Sequence, residues 1–194
     1  MTPDPASFDE LVADGAAAPV EGWDFSWFEG RAREERTPWG YALTAAERLG
    51  TAEAAVDLVL SRHPVVTAWD EVARLLVPGG TLLTQQVGPG THRELIDFLM
   101  GPQPVNPARD PRHEVAAATA ACLDVLDLQE ARCRVELDDV GAVVHFLRKV
   151  PWTVPGFTVD AYRDRLRRLH EQISRDGPFV STSVRYLLEA RRAG

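Results

Sequence analysis

Val56-Asp-Leu-Val-Leu-Ser-Arg-His63 and, twelve positions on from it, Leu75-Leu-Val-Pro-Gly-Gly-Thr-Leu-Leu-Thr-Gln-Gln-Val87 decide how this chain folds. Val56–Leu60 is a short apolar run that reads as a buried strand. Between the two stretches, Val65, Trp69, Val72, Ala73 and Leu76 stand at helical spacing and predict a helix over 65–76. Pro78-Gly-Gly80 is a turn signal, and Thr81–Val87 is the next strand. Strand, helix, strand is the unit of an α/β sheet.

Downstream, the same alternation continues. Gly88-Pro-Gly90 breaks the strand, and Thr91 is placed to cap a helix carrying Leu95, Phe98 and Leu99. Four prolines make 101–111 a loop. A helix over 112–121, a strand over 123–136 and a short helix through Val140, Val143, Val144 and Leu147 follow. After a proline-rich loop from Pro151 to Gly156, Val159, Tyr162, Leu166, Leu169 and Ile173 mark a longer helix, capped by Thr158 and ended by Gly177-Pro178. Phe179–Arg191 is the last strand. Upstream, residues 1–22 form an irregular arm with a helix near Phe8–Asp14. The aromatic run Trp23-Asp-Phe-Ser-Trp-Phe-Glu-Gly-Arg31 comes next, then a helix from Pro38 to Leu49. We read 1–194 as one domain, with 1–55 an amino-terminal arm and helices and 56–194 the sheet.

The net charge of −8 over 194 residues speaks against nucleic acid, whose binders carry a basic stripe. The arginines of Arg31–Arg36 and Arg163–Arg168 alternate with acids, as on a solvated helix face. No apolar run approaches the roughly 20 residues that span a bilayer, and the acidic start lacks the features of a signal peptide. These readings imply a cytoplasmic protein with no membrane or nucleic-acid partner. Cys122 and Cys133 form no ligand cluster, so no metal is expected, and isolated cysteines usually pack as small buried hydrophobes. One lysine against twenty arginines reflects a genome rich in G and C.

The two opening stretches resemble the fourth strand, fourth helix and fifth strand of class I S-adenosylmethionine-dependent methyltransferases. Gln85-Gln-Val-Gly88, Asp139-Val-Gly-Ala-Val-Val144, Trp152-Thr-Val-Pro-Gly-Phe157 and the run Trp23–Arg31 are similar to a bacterial branch of that fold. The resemblance implies a truncated Rossmann-like α/β fold of about four strands, in the family's order 4-5-7-6 with strand seven antiparallel. It also exposes a gap. The family holds its cofactor on a glycine-rich turn after strand one and an acid after strand two. Here Gly50-Thr-Ala-Glu-Ala-Ala55 runs straight into Val56, and no GxGxG occurs. We therefore expect no cofactor. The strand at 56–60 would lie at an edge, an aggregation hazard unless covered; the amino-terminal arm, a second copy or a partner protein can cover it, and we expect a homodimer or hetero-oligomer through that edge.

Candidate site residues follow from position and chemistry. His63 ends a strand at its carboxyl side, where open α/β sheets bind ligands, and can act as a general base near neutral pH. Arg62 beside it can bind an anion. Gln85 and Gln86 end the next strand; they face opposite sides, so one at most enters a given cleft. In the aromatic run, Asp24 and Glu29 are candidate bases, and Trp27 and Arg31 candidate substrate contacts, closing over His63. Alternatively, the aromatics of that run anchor the arm. His145 and Trp152 lie where the family flanks its acceptor pocket, although the favoured reading of His145 is a histidine on a half-buried helix. His92, His113 and His170 fall on helix faces expected to be exposed.

Three functions are compatible with this pattern. The favoured one is an enzyme without S-adenosylmethionine, acting on a small molecule of natural-product biosynthesis by intramolecular displacement, ring closure or elimination. The second is a non-catalytic or co-catalytic subunit of a complex. The third is an S-adenosylmethionine-dependent methyltransferase, truncated or completed in trans.

Overall fold

The computed structural model describes residues 6–22, 26–35, 56–64 and 66–194. In chain order the elements are helix α1 (Phe8–Ala17), strands β1 (Ala32–Glu34) and β2 (Val56–Arg62), helix α2 (Trp69–Leu75), strand β3 (Leu76–Val87), helices α3 (Arg93–Met100) and α4 (Pro111–Ala120), strand β4 (Leu123–Leu137), helices α5 (Val140–Lys149) and α6 (Val159–Asp176), and strand β5 (Phe179–Arg192). The sheet order is β1-β4-β5-β3-β2, with β2 and β3 parallel and β5 antiparallel to β3. Four of these strands stand in the order that the resemblance implies. The fifth, β1, was not expected: Ala32–Glu34 pairs antiparallel with Val135–Leu137 of β4. It is too short and too charged to register as a strand in the sequence, and Arg33 secures it by ion pairs to Glu136 and Asp138. The helix expected over Pro38–Leu49 falls outside the described residues.

Contacts divide the chain into two compact units, each assembled from separated stretches. One comprises 1–35, 92–104 and 134–182; the other comprises 36–91, 105–133 and 183–194. Strands β4 and β5 contribute residues to both. Each unit has its own core.

In the first unit, α1, α3, α5 and α6 bury Phe8, Val12, Leu95, Leu99, Val143, Leu147, Leu166 and Leu169. The caps are those a helix needs to satisfy its first N–H groups. Ser7 and Glu10 form a capping box on α1, Asp139 accepts from Ala142 N–H at the start of α5, and Thr158 accepts from Ala161 N–H at the start of α6. Helix α3 departs from expectation. His92, not Thr91, is its N-cap, at φ 56°; the Thr91 hydroxyl is engaged with Gly88 O and Val184 O. His92 is buried, in contrast to the exposed face expected. Its ring lies 4.6 Å from that of Phe146, and Nδ1 is 3.3 Å from Ser181 Oγ.

Glycines set the approach of α1 to α5. A Cβ on Gly15 would stand 2.2 Å from Gly141 O, and one on Gly141 would stand 2.5 Å from Leu11 O. Both obstacles are backbone atoms that cannot swing aside.

In the second unit, β2, β3, α2 and α4 bury Leu76, Leu82, Ala118, Leu123, Leu188 and Ala190. The Pro-Gly-Gly segment does not end α2 with a separate turn, as the sequence suggested. It is carried inside β3 as an irregularity: between the pairs Val56↔Leu76 and Leu58↔Thr81, β2 advances two positions while β3 advances five. Gly79 takes φ 79°, a conformation that disfavours any side chain. A Cβ on Gly80 would meet Val77 O at 2.9 Å and Asp57 O at 3.2 Å.

Gly141→Ala distinguishes packing from propensity. In an exposed helix the change stabilises by about 1 kcal/mol, whereas overpacking against fixed atoms costs about 1–3 kcal/mol. We expect a net loss of stability, read as a lower urea midpoint with an unchanged slope.

Candidate functional site

The irregularity in β3 resets the register, and five regular pairs follow, ending at Ser61↔Thr84 and Arg62↔Gln85. The chain then turns. His63 takes φ 48°, and its N–H donates to Gln85 O at 2.8 Å, adding a last rung to the ladder. Left-handed backbone costs a side-chain-bearing residue about 1–3 kcal/mol, and the following Pro64 favours extended backbone at this position. Such strain, held in place by its surroundings, is characteristic of functional positions.

The turn carries the half-buried His63 ring onto the Gln85 amide: Nε2 lies 3.0 Å from Gln85 Nε2, so with the amide nitrogen donating, the ring proton sits on Nδ1. Burial first, then Arg185, Arg62 and Arg109, lower the His63 pKa to about 4. The ring is therefore neutral at pH 7.

Around this pair lies further polarity, all within the same unit. Gln86 is buried and donates to Thr67 Oγ1 at 3.2 Å and Thr84 Oγ1 at 3.3 Å. The two glutamines thus make separate contacts, as alternation along a strand requires. Directly across from Gln86, on β5, stands the buried Tyr186. Burial and the neighbouring Glu114 raise its pKa. Glu114 on α4 is itself raised by burial, and its Oε2 has no hydrogen-bond partner among the described residues.

Arg109, Glu114, Tyr186 and Arg185 were not found by sequence reasoning. Glu114 and Arg109 sit beside a proline-rich loop, which offered no periodicity. Tyr186 could have been found from its strand register opposite Gln86.

A second cluster forms in the other unit. Its centre is His145, fully buried on α5, with the Trp27 ring at 4.5 Å and the Phe28 ring at 4.6 Å. Neither ring nitrogen has a hydrogen-bond partner among the described residues, and burial lowers its pKa. The half-buried helix position expected for His145 is thus an interior one. Trp27 and Phe28 do anchor their segment on the core. Arg31 stacks 4.3 Å over the Trp27 ring and pairs with Asp14 at 2.6 Å. Glu29 is exposed, and Trp152 is 63% exposed. Asp24 lies outside the described residues. His63, Arg62, Gln85 and Gln86 therefore come together in one unit, and Trp27, Arg31 and His145 in the other. Cys133 is buried, as expected of a small hydrophobe, but Cys122 is exposed. No group of three or more His, Cys, Asp or Glu suited to a metal occurs among the described residues.

The parallel β2–β3 pair, the helix between its strands and the antiparallel β5 beside β3 make this a mixed α/β chain, similar to the class I methyltransferase fold in shortened form. Among solved structures it is similar to a candidate methyltransferase of Bacillus halodurans, at 13% identity and TM-score 0.43, covering 76% of this chain and 68% of that one. It is similar also to the [4+2]-cyclase SpnF, at 16% identity and TM-score 0.35, covering 75% and 54%. A third is phosphoethanolamine N-methyltransferase 2 of Haemonchus contortus, at 13% identity and TM-score 0.35, covering 75% and 35%. The chain thus spans between about a third and two thirds of these proteins' lengths. No family model and no curated protein matches the sequence.

The Gly88-Pro-Gly90 turn is closely packed: a Cβ on Gly88 would stand 2.6 Å from Val184 Cγ1.

The lowered His63 pKa has a consequence for stability. Unfolded histidine titrates near 6.5, so between pH 6.5 and about 4 the unfolded chain binds a proton that the folded chain does not. Stability then falls as the pH drops through that window and is unaffected by this group above it. Ring-proton NMR is expected to show a midpoint near 4, and His63→Gln is expected to flatten the acid limb of the stability profile between those limits.

Proposed function

We propose that this chain is a small-molecule enzyme of methyltransferase fold that works without S-adenosylmethionine, by positioning and proton transfer at the ends of β2 and β3. The observation that carries the reading is the strained, neutral His63 held against the buried amide of Gln85. A neutral imidazole can accept a proton once Gln85 gives up Nε2 to substrate. Glu114, raised by burial, is a second proton-transfer group in the same unit. Substrate, held close in a reactive geometry, supplies the rest, since proximity alone is worth up to several kcal/mol of barrier. The fitting reactions are intramolecular displacement, ring closure and elimination, which require no second substrate. Natural-product biosynthesis is the setting we favour.

Two measurements test this. Calorimetric titration with S-adenosylmethionine is expected to give no stoichiometric heat; micromolar binding at one site per chain would overturn the reading. His63→Ala is expected to lower turnover of the small-molecule substrate by about 10²–10⁴, with circular dichroism unchanged. Near wild-type turnover in a folded variant would move the chemistry away from this pair.

A second reading rests on β2. It has a strand neighbour on its β3 side only, among the described residues, and Leu58 on it is 48% exposed. An apolar edge strand invites pairing with another chain. We infer self-association, or docking of a partner subunit, through Val56–Leu60. Light scattering after size exclusion is expected to report more than one chain per particle, and Leu58→Glu is expected to shift that value toward the monomer. A monomer at high concentration, with no co-purifying subunit, counts against it.

A further inference from the structure

We propose that the groove between α3 and α6 docks an acidic peptide segment of a partner protein, with carboxylates on Arg165, Arg168 and Arg175 and an apolar side chain on Phe98. This surface lies within the first compact unit and does not depend on the catalytic reading.

The groove has a volume of about 340 Å³ and is lined by Phe98 of α3 and by Arg165, Arg168, Glu171, Gln172 and Arg175 of α6. Positions 165, 168, 172 and 175 recur at intervals of three and four, so a single stripe of the helix supplies them. The other flank of α6 spends its arginines inside the fold. Arg163 pairs with Asp9 of α1 at 3.1 Å, and Arg167 stacks 4.5 Å over the Phe8 ring.

On the groove side that compensation is missing. Arg165 and Arg168 are exposed and make no hydrogen bond or ion pair among the described residues; Arg165 lies over the Tyr162 ring at 5.7 Å. Arg175 pairs with Asp176, but both side chains are exposed, and such a pair is weak and screened by solvent. Helix α3 has two acids, and both are engaged. Glu94 accepts from the Ser181 and Thr182 hydroxyls and from Thr182 N–H. Asp97 pairs with Arg93 at 2.6 Å and accepts from Gln103 N–H. Glu171 is the one acid in the lining, so the groove is positive on a chain whose net charge is −8.

Shape decides what kind of anion fits. Arg165 and Arg175 are ten residues apart, about 15 Å along the helix. A lone carboxylate or phosphate reaches only part of that row. An extended peptide repeats a side chain on one face about every 7 Å, so successive carboxylates meet successive arginines, each offered a planar pair of donors. Phe98 adds an apolar wall, fixed against the core with the Phe179 ring at 5.8 Å. Nucleic acid is disfavoured, because its dense charge meets the acids of the remaining surface.

The experiment follows the fluorescence anisotropy of a dye-labelled peptide, glutamates flanking a central leucine, titrated with the intact chain. Saturable binding that weakens with added salt is expected. The same peptide with glutamine for glutamate should bind weaker on the order of tenfold or more, as for loss of charged hydrogen bonds. Arg168→Glu should weaken binding of the glutamate peptide by a similar factor, and should bind a lysine-for-glutamate peptide more tightly than the unaltered chain does. Arg132→Glu, at an exposed position of β4, changes the net charge equally and is expected to leave affinity unchanged. Circular dichroism confirms that each variant is folded. Equal affinity for the glutamate and glutamine peptides overturns the proposal, as does an Arg168→Glu variant that binds like the unaltered chain. Equal losses in Arg132→Glu and Arg168→Glu also overturn it, since net charge and not the groove would then govern binding. Displacement of the peptide by an equimolar amount of inorganic phosphate assigns a small-anion site instead, and tighter binding of a single-stranded oligonucleotide assigns a nucleic-acid surface; either result overturns the acidic peptide.

Discussion

The register of β2 against β3 is the constraint on which the rest of the site depends. Val56 pairs with Leu76, three extra residues of β3 are then absorbed around Pro78-Gly79-Gly80, and the ladder resumes at Leu58↔Thr81. Only that offset brings Arg62 level with Gln85 and lets the next residue, His63, fold back onto the same glutamine by backbone and side chain. Moving a strand by one residue would turn every side chain to the opposite face. Gln85 would then trade places with Gln86, and the imidazole would meet a different surface. The glycines far from the imidazole therefore determine its chemistry as much as its immediate neighbours do.

Three buried or half-buried histidines show how differently one fold can treat the same ring. His92 caps a helix in left-handed backbone and lies against Phe146 and Ser181. His145 is enclosed by Trp27 and Phe28 with both nitrogens unmatched among the described residues. Burying a polar group without a partner is costly, which helps keep that ring uncharged. His63 alone combines strain, an amide contact and a field of arginines. Position along the sequence distinguishes none of these three; environment does.

Much of the fold was legible because long apolar periodicities survive in the sequence. Leu166, Leu169 and Ile173 announced α6, and the runs at Val56 and Thr81 announced the parallel pair. The order of the four longer strands came from the family resemblance, since hydrophobic patterns carry no information on which strand lies beside which. What escaped had weak local signals. Strand β1 is three residues held by Arg33, and the burial of His92 depends on residues about ninety positions away. Within the site, His63, Arg62, Gln85 and Gln86 were legible as strand ends. Arg109, Glu114 and Tyr186 were not, because they reach the site from a loop, a neighbouring helix and the last strand. Trp27 and Arg31 were read as closing over His63, and His145 as a separate candidate; all three belong to the other compact unit.

Interleaving of the two units along the chain bears on how this protein comes off the ribosome. The surface that receives Gly15 of α1 is Gly141 of α5, far downstream in the chain. The hydrophobic face of α1 must therefore wait, exposed, through the synthesis of more than a hundred further residues. The second unit is in the same position, since β3 leaves the ribosome long before its antiparallel neighbour β5. Neither unit can be finished until β5 has been made, so folding here is dominated by distant pairings, which are slow to form and exposed to aggregation while they do.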